Sequence, residues 1–186
     1  MANQNGAVDL DAYHDAVLDA LKQEFAIFKT VEDYPQDRKP RATPALFVEL
    51  EELEQANDQD PGTGQQALNL RMVARVIVPA SDEKAGRQVR ALAAAVASFV
   101  HLNKFGQAIL AAQVVGAYQD AFSPELDQYL VWKVEWQQVG HFGCSVYDCS
   151  DPNAEAIFLA YSENGVNAPL DAFHQVLPPG GNETPK

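Results

Sequence analysis

Four residues of metal-binding type, His141, Cys144, Cys149 and His174, stand toward the C-terminal end of the sequence. A tetrahedral zinc site draws on cysteines about two to four residues apart plus a second pair at similar spacing, and this set has neither, so no metal is expected. Asp148 and Asp151 put negative charge beside Cys149, whereas a reactive thiol needs an electropositive setting. Both cysteines are therefore expected to be small packing residues. A second cluster, Glu49, Glu51, Glu52, Glu54, Asp58 and Asp60, places six carboxylates within twelve residues. Paired carboxylates do acid–base work when burial separates their pKa values, but these fall at a strand end and an open loop, where a solvated acidic face is the expectation. The spacing of an EF-hand loop is missing, as are the P-loop, GxGxxG, GxSxG and HExxH patterns. No catalytic residue, metal or cofactor is assigned, and the chain is read as a non-enzyme.

Charge distribution is more informative. With 26 Asp plus Glu against 13 Lys plus Arg, the formal charge is −13, which disfavours the phosphate-neutralising footprint of a nucleic-acid binder. The excess is uneven. Residues 1–67 carry five bases and fourteen acids, 68–119 carry six bases and two acids, and 120–186 carry two bases and ten acids. Arg71, Arg75, Lys84, Arg87 and Arg90 thus form a basic island in an acidic protein. Such a strip on one copy facing the acidic loop of the next makes a heterologous, ring-closing contact.

These groups must be positioned by a core. The 186 residues, 47% hydrophobic and 21% charged, suit one globular domain with a short appendage, able to fold without a disulfide or structural metal. No basic leader precedes an apolar stretch, and no run approaches the ~20 apolar residues that cross a bilayer, so a soluble chain made in a reducing cytoplasm is expected.

Leu10, Val17, Leu21, Phe25 and Phe28 recur at helical spacing over residues 9–29. Residues 30–44 carry three prolines and read as a short extended piece followed by an irregular connection. TPALFVELEEL (43–53) puts Leu46, Val48 and Leu50 on one side of a strand, and a loop follows over 54–66. ALNLRMVARVIVP (67–79) sets Leu68, Leu70, Met72, Ala74, Val76 and Val78 against Asn69, Arg71 and Arg75, as its hairpin partner. Ser81 is placed to cap a helix in which Val89, Leu92, Val96, Phe99 and Val100 repeat until Gly106. Two further strands follow, over 109–119 and 128–140, the latter with Leu130, Trp132, Val134 and Trp136 facing inward. Trp132, Trp136, Phe25 and Phe99 are the expected core anchors. After Gly143 the pattern weakens, with one short strand at 156–162 and a tail from 178 that has nothing to bury. The expected fold is α+β: an antiparallel sheet of about four strands with two main helices on one face, in a domain over 1–143, an irregular C-terminal extension over 144–177 packed on it, and a disordered tail over 178–186.

An amphipathic N-terminal helix, a Pro-x-x-x-Pro approach (Pro40 to Pro44) to TPALFVELEEL, an acidic loop, ALNLRMVARVIVP, an alanine-rich helix with Arg87 and Arg90, and QYLVWKVEWQQVG succeed one another over residues 8–142. In this order of elements the chain resembles the tail terminator, or tail-completion, proteins of long-tailed bacteriophages and related contractile particles. The resemblance implies a homohexameric ring at the head-proximal end of the virion tail, assembled in the host cytoplasm. That ring stops tube polymerisation and offers a docking face to the head-side connector. It implies as partners the chain itself, the tail tube protein, a head-side connector or neck protein and the tail sheath, with DNA passing through without specific binding, no membrane contact and no catalytic residue. A head-side neck protein or accessory binding module of the same fold class is the alternative reading, and a small α+β enzyme the third. The six carboxylates are the candidates to line the channel or its rim, with Arg71 and Arg75 turned toward a neighbouring subunit.

Overall fold

The computed structural model describes residues 7–35, 41–81, 83–120, 128–147, 157–159 and 174–177, the last two stretches as backbone only. The chain divides into two units, residues 1–147 and 148–186. The tail expected from 178, and most of the extension expected over 144–177, lie outside the described residues.

In the first unit Asp9 caps α1 (Leu10–Glu24) by accepting from the backbone N–H groups of Asp11 and Ala12 at 3.1 and 3.2 Å. The helix buries Tyr13, Val17, Leu18 and Leu21. It ends before the expected residue 29, and Phe25 and Phe28 reach the core from the following turn. Their rings meet edge to face at 5.9 Å, and Phe25 meets Phe99 at 5.6 Å. Strands β1 (Thr30–Asp33), β2 (Ala45–Gln55), β3 (Gln66–Pro79), β4 (Gln113–Gln119) and β5 (Tyr129–Phe142) form one sheet in the order β1-β2-β3-β5-β4. Helix α2 (Ala85–Val100) lies between β3 and β4 in sequence. The fold is α+β as expected, but the sheet has five strands rather than four and is mixed, because β1 pairs parallel with β2. TVED supplies one apolar side chain, Val31, too little alternation to announce a strand; its place comes from pairing with Ala45–Val48.

The inward face of the sheet carries Leu46, Val48, Leu70, Met72, Ala74, Val76, Val78, Val134 and Trp136, packed with both helices into one core. Trp136 is fully buried, whereas Trp132, Phe25 and Phe99 are half-buried and pack around that core. Within the core sits one polar side chain that hydropathy would place outside. Gln138, 1% exposed, accepts from the Tyr13 hydroxyl at 2.5 Å and the Trp136 indole N–H at 3.3 Å. Its amide donates to the carbonyls of Asn103 and Leu110 at 3.2 and 2.9 Å. All four of its hydrogen-bonding positions are used, which is the condition for burying an amide. These bonds strap the α2–β4 connection under the sheet, and the strand expected from 109 accordingly begins only at Gln113. Nor does Ser81 cap α2, which starts after Lys84 without a side-chain cap.

Strand β2 breaks period-two alternation once. Leu50 pairs with Met72 and Glu52 with Arg71, so Glu51 is an extra residue, a bulge. Beyond it the strand runs to Gln55 before a 3-10 turn at Asn57–Gln59, and β3 begins at Gln66, so the loop expected over 54–66 spans only 56–65. In the second unit β6 (Ile157–Leu159) falls within the strand expected over 156–162 and pairs antiparallel with β7 (His174–Leu177), which shows no alternation of its own.

Candidate functional site

The sheet face opposite the helices is covered in two ways. At one end Ala45, Phe47, Ile77 and Val131 are buried beneath Tyr34 and Tyr129. Over the rest, charged side chains from β2, β3 and β5, with Asp120 just after β4, lie across one another. The bulge produces this arrangement. Strict alternation from Glu49 would turn Glu52 and Glu54 inward; the extra residue returns both to the outward side, opposite Arg71 and Asn69.

Arg71 then reaches Glu52 at 3.2 Å, Glu54 at 3.3 Å and Glu135 at 3.6 Å. Arg75 bonds Glu49 and Asp120, the latter at 3.2 Å, and stands 3.8 Å from Glu51. Its guanidinium also lies over the Tyr34 ring, 4.6 Å from the centroid. Burial alone would lower the Arg75 pKa, and Glu49 and Asp120 more than offset it, so the pKa is raised. Lys133 contacts both oxygens of Glu51 at 2.8 and 3.1 Å. The Tyr118 hydroxyl donates to Glu135; that bond, with desolvation adding to it, pushes the phenol up to about 12. Six carboxylates thus meet three bases, and the face is acidic even with every base engaged.

Part of the expected basic strip is therefore neutralised within the chain: Arg71 and Arg75 belong to this lattice. Lys84, Arg87 and Arg90 lie on the opposite side of the sheet, on the exposed surface of α2. Of the six acidic candidates, Glu49, Glu51, Glu52 and Glu54 are strand residues in the lattice. Asp58 and Asp60 are exposed in the β2–β3 connection, where Asp60 accepts from the Gly62 N–H at 2.8 Å. Glu135, Asp120, Lys133 and Tyr118 were not among the candidates, although the alternation of Lys133 and Glu135 with Trp132, Val134 and Trp136 already marks them as outward-facing.

Of the His and Cys set, only His141 and Cys144 have described side chains. His141 Nε2 stands 3.1 Å from the Gln59 carbonyl, Cys144 is exposed, Cys149 lies outside the described residues, and His174 is placed in β7 by its backbone. Among the described residues no three His, Cys, Asp or Glu side chains are grouped to hold a metal ion. One open depression is lined by Thr43, Pro79, Ala80, Ser81, Gln128 and Tyr129, three hydroxyls, one amide and two apolar residues. Among the described residues no helix is long and apolar enough to cross a membrane.

No protein-family model matches the chain, and no curated protein does. Among solved structures, a chain from a structure titled "Virion of native gene transfer agent (GTA) particle" is similar over 70% of this chain and 98% of its own length, with 14% identity and a TM-score of 0.44. At that score the likeness assigns neither a fold nor a role to this chain.

Proposed function

We propose that this chain is a structural protein of a tailed, phage-like particle, a tail terminator that closes into a ring of six on the head-proximal end of the tail tube, stops its growth and presents a docking surface to the head. The order of elements that resembles the terminator proteins supports the family. The acid-rich sheet face carries the role: its nine charged side chains brace one another across β2, β3 and β5 and leave a surplus of carboxylate. Such a face repels phosphate, so it suits the wall or rim of a passage through which DNA moves without sticking. A surface cross-braced between strands also resists shear, as a ring under load from a moving genome requires. No chemistry is assigned to the protein.

A tail-assembly reaction tests this reading. Without the chain, tubes should grow past their normal length and fail to join heads; adding it back should restore uniform, head-bearing tails. Uniform tails formed in its absence would refute termination.

A further inference from the structure

The C-terminal end of α2 holds a residue whose side chain folding does not explain, although its backbone N–H donates to the Ala112 carbonyl at 2.7 Å. Leu102 follows the helix cap at φ +64°, in the left-handed region where glycine is usual, and is 64% exposed. A branched apolar side chain there is strained and solvated at once, the combination that marks a contact made with something else. Along the exposed face of the same helix, Arg87 and Arg90 stand at the N-terminal end, and Ala91, Ala94 and Ala95 between them and Leu102. That face is basic at one end, thin in the middle and apolar at the other.

Helix α1 offers its counterpart in the same order. Asp11, Asp15 and Asp19 recur every four residues on its exposed side, and Ile27, 51% exposed, follows its C-terminus. Asp15 precedes Ile27 by twelve residues, as Arg90 precedes Leu102. Laid parallel, the two helices put Asp11 and Asp15 beside Arg87 and Arg90 and Ile27 on Leu102, with the alanines permitting close approach, while Asp19 pairs with Lys22 of its own helix at 3.6 Å. Within one chain the two faces do not meet, because α1 touches β1 at one edge of the sheet while α2 lies on β3, β5 and β4 toward the other.

We infer that the exposed face of α2 receives the exposed face of α1 from the next copy of this chain, head to tail. The inference rests on the ring reading and names its contact. Strand addition at the free edge of β4 is the less suited alternative, since Val115 is bulged there and interrupts the ladder.

Two variants test it at high protein concentration by sedimentation velocity. Arg87→Asp with Arg90→Asp makes both faces acidic; Asp11→Arg with Asp15→Arg makes both basic. Each alone should weaken self-association by at least about tenfold, and an equal mixture should restore it, because every α2 then meets an α1 of opposite sign. Leu102→Gly should raise the melting temperature while weakening association, an effect opposite to that of a residue needed only for folding. Either reversal assembling as the unmodified chain does would overturn the contact while leaving the ring. An unmodified chain that forms no higher assembly, alone or on tail tubes, would remove the ring and this contact with it.

Discussion

Gln138 is the residue whose loss should be felt most widely, because its amide joins α1, β5 and the connection after α2. Gln138→Leu would take their Gln138 partner from the Tyr13 hydroxyl, the Trp136 indole N–H and the Leu110 carbonyl, while the Asn103 carbonyl keeps the Ala112 N–H at 2.9 Å. A loss of about 3 kcal/mol or more is expected, read as a lower urea midpoint with an unchanged slope. Adding Tyr13→Phe should recover part of it, since one stranded hydroxyl is then gone. Such a site was not legible beforehand: a glutamine on a strand reads as surface, and only the fold shows four partners converging on it. Tyr118 gives a pH signature. Its pKa rises from 10.0 to about 12 through the hydrogen bond to Glu135. A phenol whose pKa is raised by folding contributes stability that is complete below pH 10 and lost as pH rises through about 12. Tyr118→Phe should therefore flatten the decline of the melting temperature between those values, and an unchanged decline would show that Tyr118 does not contribute to it.

At the scale of elements, period and alternation placed both helices, the β2–β3 hairpin and the inward faces of β3 and β5. They failed where an element is defined by its neighbour. Thr30–Asp33 has no pattern of its own, and Phe25 and Phe28 continue a helical spacing after the helix has ended. The bulge was in principle readable, since ELEELE doubles a polar residue in an otherwise alternating run. Deleting Glu51 leaves an alternating strand in which Leu50 and Leu53 stay on one side, so the protein should fold with the β2–β3 register intact, having lost the Lys133 partner. Deleting Val73 from the unbroken β3 should instead flip one half of that strand, exposing Leu70 and Met72 or Val76 and Val78, and abolish folding. Circular dichroism and thermal melts of the two deletions would separate them; equal tolerance would contradict the role given to the bulge.

For the whole molecule, a charge of −13 opposes both compaction and assembly through self-repulsion. The lattice offsets part of this by bringing Arg71, Arg75 and Lys133 among the carboxylates, and the remaining excess needs a use. If the lattice faces the channel, replacing Glu52 and Glu54 by Gln, which removes carboxylate without setting new cations beside Arg71, should leave tails of normal length but slow DNA ejection, with the delay shrinking as salt rises. Failed termination would place those residues at a contact with another protein, and normal ejection would place them on the outside. The most direct test of the central claim is electron cryo-microscopy of assembled particles that contain this chain. The account predicts a ring of six copies at the head-proximal end of the tail tube, each fitted by the five-stranded sheet with its two helices. Particles with no density for the chain at that end, or with the chain located elsewhere, would contradict it.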